Sequence, residues 1–253
     1  MNLGFFMISA TVLTKNSERY LEKVLRALER LDEVVIFDTG STDRTKEIAS
    51  SFPYVSWHSG VFTGFGPTHN HASSLAKNDW ILSLDSDEIM TEELAQEIFS
   101  LTLDEKSVYS FWRKNFYRGK HIYGCGWCPD RVFRLYNRKT TRFSDDLVHE
   151  KVLTHGLQQV ELRAPVLHYP FDSVSGFIKK IDVYSNLFAQ QEKRKGSIPK
   201  AFFHALWAFL KSYIIKKGFL LGSEGFEISW YNMNCAFYKY AKLAEKRSKS
   251  RQH

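Results

Sequence analysis

The stretch WILSLDSDE, residues 80–88, joins an apolar run to three acidic residues. That run is one of four in the first hundred residues, and together they predict β-strands at 6–13, 34–37, 55–58 and 80–84. Segments with helical spacing of apolar residues separate the strands, at 17–31, 43–52 and 67–77. Strands that alternate with helices are typical of an α/β fold on a mainly parallel sheet.

Polar side chains stand where these strands end. Ligands of open α/β sheets bind outside the carboxyl ends of the strands, so the chemistry is expected at Thr14, Asp38 and residues 85–88. Ser41 follows Asp38 closely and can cap the next helix. Capping leaves Asp38 unexplained, and a carboxylate at this edge suits hydrogen bonding to a base or a ribose.

Asp85 and Asp87 are separated by one residue at a strand end. Two carboxylates in this arrangement can hold a hard divalent cation, which would bridge a diphosphate. The alternative is a structural role, because Asp87 or Thr91 could simply begin the helix predicted at 92–101. The spacing alone leaves both interpretations open.

Composition limits the class of protein. A chain of 253 residues that is 43% hydrophobic can bury a sizeable core. Three cysteines are too few for a disulfide framework, which favours a reducing cytoplasm. The apolar start, residues 4–13, lacks the features of a signal peptide and is expected to be a buried strand. The net charge of +7 favours an anionic partner: nucleotide phosphates, nucleic acid or an acidic membrane surface.

The pattern changes along the chain. It becomes β-rich from about residue 107, with predicted strands at 109–117, 131–136, 147–153 and 166–168. After residue 172 it becomes helical. We therefore expect a catalytic domain over residues 1–195 and a helical C-terminal extension over 196–253.

Several motifs occur in the order and spacing of the family 2 inverting glycosyltransferases. In the first half these are residues 10–16, 38–43, 64–70 and 84–88. The chain also resembles the bacterial branch that includes lipopolysaccharide-core β-1,4-glucosyltransferases. That narrower resemblance extends to residues 126–135, 148–150, 168–169 and 218–226.

The resemblance implies a GT-A type fold, Rossmann-like, with a mainly parallel sheet and a smaller mixed β region. It also implies a UDP-sugar donor, most often UDP-glucose. The residues expected at the nucleotide-sugar are Thr14, Asn16, Asp38, Ser41, His69, Asn70 and Asp85. Asp85 and Asp87, with His168 as a further ligand, would hold Mn²⁺ or Mg²⁺. His69 departs from the pattern, since relatives often have Lys or Arg there and an imidazole is mostly uncharged at neutral pH.

An inverting transfer needs a base for the acceptor hydroxyl. Glu150 matches the His-Glu motif of the family and is the candidate. The alternative is that Glu150 pairs with Lys151 or Arg142 on an exposed strand. Asp145 and Asp146 are the substitute candidates.

Residues 125–131 contain a Cys-x-x-Cys pair beside an aromatic residue. In the family match, Trp127, Asp130 and Arg131 would contact the acceptor or the sugar, with the indole as a stacking surface. The alternative is that Trp127 fills a core. Cys125 and Cys128 have no second pair to complete a zinc site, and they precede a predicted strand rather than the helix typical of redox pairs.

The helix predicted at 201–215 is apolar and is flanked by lysines. It is shorter than the roughly 20 residues that cross a bilayer. It would pack on the protein or a partner subunit, or lie in a membrane interface.

The sequence thus predicts a cytoplasmic, membrane-peripheral, metal-dependent enzyme. It would transfer a hexose to a glycan or lipid-linked acceptor such as lipopolysaccharide core. One alternative is a nucleic-acid-binding protein, suggested by the basic aromatic run at 111–118, although the main prediction includes no nucleic acid. The other is a sugar-nucleotide nucleotidyltransferase, which would want a glycine-rich phosphate loop after the first strand.

Overall fold

The structure is a computed structural model that describes residues 7–192 and 196–249. Its strands are β1 (Ile8–Thr14), β2 (Glu33–Asp38), β3 (Val55–Ser59), β4 (Trp80–Asp85), β5 (Glu88–Met90), β6 (Ser107–Tyr117), β7 (Lys120–His121), β8 (Arg131–Asn137) and β9 (Gln158–Phe171). Its α-helices are α1 (Leu21–Ala27), α2 (Thr45–Ser50), α3 (Phe65–Leu75), α4 (Glu92–Phe99), α5 (Val174–Gln191), α6 (Ile198–Leu210) and α7 (Ser223–Lys249). A π-helical turn (Lys211–Ile215) and a 3₁₀ turn (Gly218–Leu221) join α6 to α7.

The chain divides into two compact units. The first contains residues up to Arg113 together with Asp130–His168, and the second contains Lys114–Pro129 and the chain from Tyr169 onward. Lys195, where the predicted catalytic domain ends, lies outside the described residues. The division into residues 1–195 and 196–253 therefore stays a prediction.

The first unit is built on one sheet with the strand order β3-β2-β1-β4-β8-β6-β9-β5. The first four of these strands pair in parallel. Further along, β8 pairs antiparallel with β4 and β6, and β5 pairs antiparallel with β9. The predicted α/β fold, with a parallel sheet and a smaller mixed region, is confirmed.

The parallel strands are apolar because helices cover them. Ile8, Ala10 and Val12 of β1 are fully buried, and so are Leu21 and Val24 on one face of α1. Strands of this kind are shielded on both faces and carry near-continuous apolar runs. The four apolar runs of the first hundred residues were therefore readable as strands.

The helix predicted at 92–101 forms as α4, and Thr91 caps it. The Thr91 hydroxyl accepts a hydrogen bond from the backbone N–H of Leu94 at 3.2 Å. This bond satisfies one of the free N–H groups at the helix start. Asp87 is therefore not needed as the cap.

The strand predicted at 147–153 is wrong. This segment is a loop. Among the described residues, its β-type pairing consists of one isolated bridge, between Phe143 and Val152. The carbonyls of Asp146 and Leu147 accept hydrogen bonds from the first N–H groups of α3, both at 3.1 Å. His149 has a φ of 63°, which a strand does not allow. The loop therefore satisfies the start of a helix instead of joining the sheet.

The second unit is mainly helical, as predicted for the C-terminal part of the chain. Helix α6 packs on α7 with Ala201 and Ala205 buried. An aromatic cluster that includes Phe171, Phe177 and Tyr231 forms its core. None of the helices in the described ranges combines the length and the apolar character that crossing a membrane requires.

Candidate active site

The sheet brings two predicted carboxylates to neighbouring positions at one edge. Strand β1 lies between β2 and β4, with Thr14 paired to Asp38 on one side and Leu13 paired to Asp85 on the other. Since these strands are parallel, their carboxyl ends meet at the same edge. The predicted nucleotide residues and the predicted metal residues therefore begin from adjacent strand ends.

Asp38 is buried and held by several hydrogen bonds. Its carboxylate accepts from the Thr14 hydroxyl at 3.0 Å and from the backbone N–H groups of Gly40 and Ser41 at 3.0 and 2.9 Å. The Ser41 hydroxyl also donates to it. Burial opposes ionisation, but these hydrogen bonds outweigh it and lower the pKa of Asp38. A fixed, ionised carboxylate thus stands at the end of β2.

Asn16 lies next to this cluster on the exposed side. Its backbone N–H donates to the Ser41 hydroxyl at 2.8 Å, and its side-chain oxygen accepts from the Thr42 N–H at 2.8 Å. Its φ of 53° lies in the left-handed region, which asparagine tolerates better than most residues. Thr14, Asn16, Asp38 and Ser41 therefore form one hydrogen-bonded group.

Asp85, Asp87 and His168 lie close enough to share one cation. One ligand atom from each of the three lies within 4.8 Å of the others, and Nε2 of His168 is 3.6 Å from an oxygen of Asp87. Strand pairing causes this approach, because His168 in β9 lies opposite Glu88 in β5, directly after Asp87. Two carboxylates and an imidazole are a donor set that fits a divalent cation such as Mn²⁺.

A buried arginine neutralises Asp85. Nη2 of Arg134 donates to Oδ2 of Asp85 at 3.0 Å, and the Arg134 side chain is almost fully buried. Burial alone would raise the pKa of Asp85, but the positive charge of Arg134 holds it well below its usual range. Nη1 of Arg134 is buried and has no hydrogen-bond partner among the described residues.

A series of three charged residues, Asp130, Arg113 and Glu88, also supports the end of β4. Asp130 binds Arg113 through two hydrogen bonds of 2.8 and 3.0 Å. Arg113 donates in turn to buried Glu88 at 3.3 Å, and Glu88 accepts the backbone N–H of Asp85 at 3.0 Å. Asp130, predicted on the acceptor side, therefore anchors an arginine behind the metal residues.

His69 is fully buried beneath Asp85. Its ring stacks on Phe143 with centroids 4.5 Å apart, and Nδ1 lies 3.1 Å from the Ser83 hydroxyl. Nε2 lies 3.9 Å from Oδ1 of Asp85. Burial, assisted by the charge of Arg134, lowers the pKa of His69 to about 3, so the ring is neutral at pH 7. The phosphate contact predicted for His69 stays a prediction, and this burial does not favour it.

Asn70 holds the loop that carries Glu150. Its side-chain amide donates to the Phe143 carbonyl at 3.0 Å, and its side-chain oxygen accepts from the Phe143 N–H at 2.9 Å. Gly66, also in α3, allows the close approach, because a Cβ there would lie 1.9 Å from the Ser144 carbonyl oxygen. The predicted nucleotide contact of Asn70 stays a prediction, while its observed contacts position the loop.

Glu150 is partly buried in this loop. Burial raises its pKa to about 7; Arg134 opposes the shift and the negative charge of Asp85 adds to it. A carboxyl group with this pKa can accept a proton at neutral pH and is suited to general-base work. The charges of Arg134 and Asp85 therefore both act on the Glu150 carboxylate.

The two substitute bases have different surroundings. Asp145 is exposed and pairs with Arg142 at 2.8 Å, which lowers its pKa. Asp146 accepts the Ser144 hydroxyl at 2.8 Å. The Asp145 carboxylate, neutralised by Arg142 at the surface, is a weaker base than Glu150, so Glu150 is the better candidate of these two.

The remaining acceptor candidates have structural contacts. The Arg131 guanidinium lies 4.0 Å from the Trp112 ring centroid and donates to the carbonyls of Ser110 and Leu162 at 3.3 and 3.2 Å. It thus connects β6, β8 and β9. In the second unit, the Trp127 indole stacks on Phe171 at 5.8 Å. The acceptor roles of Arg131 and Trp127 stay predictions.

The cysteine pair belongs to the second unit. Cys125 is buried with its Sγ 3.4 Å from the Gly225 carbonyl oxygen, and Cys128 is exposed. Burial raises the pKa of the Cys125 thiol, which opposes a reactive thiolate. Both thiols are free. That they are incidental to function stays a prediction.

Arg134 and Arg113 are absent from the predicted site, whereas Glu88 lies in the segment 85–88 predicted to carry the chemistry but has no role assigned to it there. Arg134 and Arg113 lie within the apolar patterns of β8 and β6, where a charge is costly to bury unless it is paired. A charged residue inside an apolar strand pattern therefore indicates a buried ion pair, and this pattern could have identified both arginines. Their partners are far away in sequence and become evident only when the strands pair.

Known glycosyltransferases resemble this chain over nearly its whole length. An "Uncharacterized glycosyltransferase" of Rickettsia bellii is 29% identical over 94% of this chain and 86% of its own length. The "Lipopolysaccharide core biosynthesis glycosyltransferase LpsC" of Rhizobium meliloti is 26% identical over 94% of this chain and 92% of its own length. Both similarities extend through the helical C-terminal part.

A solved structure has the same fold. The mannosyltransferase PcManGT from Pyrobaculum calidifontis, determined in complex with GDP-Man and Mn²⁺, matches with a TM-score of 0.53. The match covers 92% of this chain and 86% of that one at 13% identity, and the fold is GT-A. The profile that defines Glycosyl transferase family 2 matches residues 9–163. This chain is therefore a glycosyltransferase and belongs to Glycosyl transferase family 2.

Proposed function

We propose that this enzyme transfers a hexose, namely glucose, from a UDP-sugar to a bacterial cell-surface glycan or glycolipid with inversion at the anomeric carbon. The observation that carries the proposal is the convergence of Asp85, Asp87 and His168 at the sheet edge where Asp38 also ends a strand. Family membership supplies the reaction class. A cation site beside a nucleotide pocket is what a nucleoside-diphosphate donor requires.

The donor site consists of the group around Asp38. The ionised carboxylate of Asp38 would accept hydrogen bonds from the base or ribose, with Thr14 and Ser41 holding it in place. Asn16 is exposed beside it and offers further polar contacts. In this proposal His69 contributes by packing on Phe143 below the donor site, and Asn70 contributes by holding the loop that carries Glu150.

Asp85, Asp87 and His168 would hold the cation on the donor diphosphate. A bound Mn²⁺ or Mg²⁺ would supply positive charge that stabilises the diphosphate as a leaving group. Arg134 keeps Asp85 ionised and oriented, and Glu88 fixes the backbone of Asp85. These two residues position the ligands and need not touch the donor.

Glu150 would act as the base. The acceptor oxygen attacks the anomeric carbon, its proton passes to the Glu150 carboxylate, and the bond to the diphosphate breaks. Its pKa of about 7 supports this role, because the group is both available as carboxylate and basic enough at neutral pH. The rigid attachment of its loop to α3 supports a fixed direction of attack.

The acceptor is proposed to be lipid-linked, and the enzyme to work in the cytoplasm at the inner face of the membrane. The similarity to a relative named for lipopolysaccharide core biosynthesis supports this choice. Contacts of Trp127, Asp130 and Arg131 with the acceptor or the sugar stay part of this proposal.

A donor panel tests the proposal. UDP-glucose, UDP-galactose, UDP-N-acetylglucosamine and GDP-mannose are offered to the purified enzyme with Mn²⁺ and truncated lipopolysaccharide core. We expect transfer from one UDP-sugar, with NMR of the product showing the inverted anomer. Transfer from GDP-mannose alone would refute the proposed donor, and a retained anomer would refute the proposed mechanism.

A further inference from the structure

The segment from α6 to the π-helical turn exposes large apolar side chains on the second unit. We define the apolar face as Phe202, Phe203, Leu206, Trp207, Ile214 and Ile215. All six are exposed, including Phe203 at 68% and Trp207 at 56%. Monomeric soluble proteins seldom leave an apolar patch of this size open to water without a function.

Helix α6 buries small residues and exposes most of its large apolar ones. The residues that it buries against α7 are the small ones, Ala201 and Ala205, four positions apart. Four of its large apolar residues, Phe202, Phe203, Leu206 and Trp207, are exposed, whereas Phe209 packs on Phe226 and Trp230 of α7. A water-exposed helix normally hides its large apolar residues in the core, so the apolar face is arranged for an outside partner.

The charge of this segment indicates what that partner is. Residues 196–222 contain four lysines, Lys200, Lys211, Lys216 and Lys217, and no aspartate or glutamate. Lys211, Lys216 and Lys217 are exposed at the end of the apolar face. Within this stretch of sequence the charged residues are all cations, and a segment that combines exposed apolar side chains with lysines complements a membrane surface, whose interior is apolar and whose headgroups are anionic.

We propose that the apolar face docks on the anionic phospholipid surface of a membrane. Phe203 and Trp207 enter the interface between headgroups and acyl chains, where tryptophan is favoured. Lys211 and Lys216 contact the phosphates. The inference deepens the proposed membrane location and rests on it, whereas it does not rest on the donor chemistry of the first unit.

A second copy of the chain fits this face less well. A two-fold symmetric contact places the same surface against itself. The lysines at its border would then face each other without a carboxylate from residues 196–222 to pair with them. Charge complementarity therefore favours lipid over self-association.

Sedimentation with vesicles tests the docking. The full chain is mixed with vesicles of phosphatidylcholine alone and with vesicles that also contain phosphatidylglycerol, at low and high salt. We expect at least tenfold stronger binding to the anionic vesicles, weakened by salt. Equal binding to both, or none to either, would overturn the proposal.

Two variants locate the surface. Lys211→Gln with Lys216→Gln should weaken binding to anionic vesicles roughly 25-fold, about fivefold for each lysine. Phe203→Ser with Trp207→Ser should weaken it by tenfold or more at any salt concentration. Val61→Ser is the control, since Val61 is 82% exposed in the first unit and lies outside the apolar face; it should bind as the parent chain does.

Two further measurements separate the possible failures. UDP binding and thermal unfolding of the lysine variant should equal those of the parent chain, so a loss of vesicle binding cannot be due to misfolding. If UDP binding is absent but vesicle binding persists, the proposed donor site fails and the docking stands. If the parent chain dimerises and Phe203→Ser with Trp207→Ser makes it monomeric without changing vesicle binding, the face is a subunit interface and the docking is refuted.

Discussion

Nη2 of Arg134 lies 3.0 Å from Oδ2 of Asp85 in the candidate site, where the Arg134 side chain is buried and the Asp85 side chain is 33% exposed. Replacing Arg134 by Met would leave Asp85 without its neutralising charge. We expect the free energy of unfolding to fall by about 1–3 kcal/mol, less than for a fully buried ion pair, because water screens the exposed part of Asp85. Arg134→Lys should recover part of the loss, and thermal unfolding measures both.

The control for Arg134 is an exposed arginine. Arg26 pairs with Glu22 on the surface of α1, and Arg26→Met should leave the unfolding temperature close to that of the parent chain. The pKa of Asp85 should also rise in Arg134→Met, so Mn²⁺ binding should weaken as the pH falls. Equal effects of the two substitutions would show that Arg134 does not hold the site together.

Glu150→Gln should remove the base without removing the donor site. We expect transfer to fall by about 10²- to 10⁴-fold while UDP binds normally. In the parent enzyme, kcat/KM should decline below about pH 7, because Glu150 is then protonated and cannot accept the hydroxyl proton. Asp145→Asn is the matched control and should keep both the rate and the pH profile. A Glu150→Gln variant with the parent profile would assign the base elsewhere.

The same substitution has a predictable effect on stability. The pKa of Glu150 is raised from 4.5 to about 7, so the folded state binds its proton more tightly than the unfolded state. The parent protein therefore loses stability as the pH rises from about 4.5 through 7. Glu150→Gln lacks this loss. Above about pH 8 its free energy of unfolding should exceed that of the parent protein by about 2 kcal/mol, and it should therefore unfold at a higher temperature. If the difference in unfolding temperature between Glu150→Gln and the parent protein were the same at all pH values, the raised pKa of Glu150 would be contradicted.

The approach of the Glu150 loop to α3 can be tested at Gly66. A Cβ in Gly66→Ala would lie 1.9 Å from the Ser144 carbonyl oxygen, so the loop must move. We expect a stability cost of about 1–3 kcal/mol and a reduced transfer rate, with UDP binding less affected. Gly176→Ala in α5 is the control, because its nearest neighbour would be at an ordinary 3.6 Å. Full transfer activity in Gly66→Ala would show that the loop position is unimportant.

The parallel part of the fold could be predicted because its signals are local. The runs that became β2 and β4 are apolar and end in Asp38 and Asp85, and strand ends of a parallel sheet share an edge. The loop at 147–153 could not be predicted in this way. Its hydrogen bonds go to the start of α3, about 80 positions earlier in the chain, and no local pattern of residues reveals that partner.

The candidate site was predictable to a similar extent. Asp85, Asp87 and His168 were identified by spacing and family resemblance, and the pairing of β5 with β9 brings them together. The supporting role of Arg134 was not predicted, because its partner Asp85 is 49 positions away in sequence. The burial of His69 could not be predicted either, because it depends on the ring of Phe143, which is far away in sequence.

The central claim is that Asp85, Asp87 and His168 hold a cation on which donor binding depends. Calorimetric titration of UDP, with Mn²⁺ and then with EDTA, tests it on the parent chain, Asp87→Ala and the control Asp79→Ala, whose carboxylate lies outside the cluster and pairs with Lys139. We predict Mn²⁺-dependent UDP binding that is lost in Asp87→Ala and kept in Asp79→Ala. UDP binding that survives both EDTA and Asp87→Ala would contradict the account.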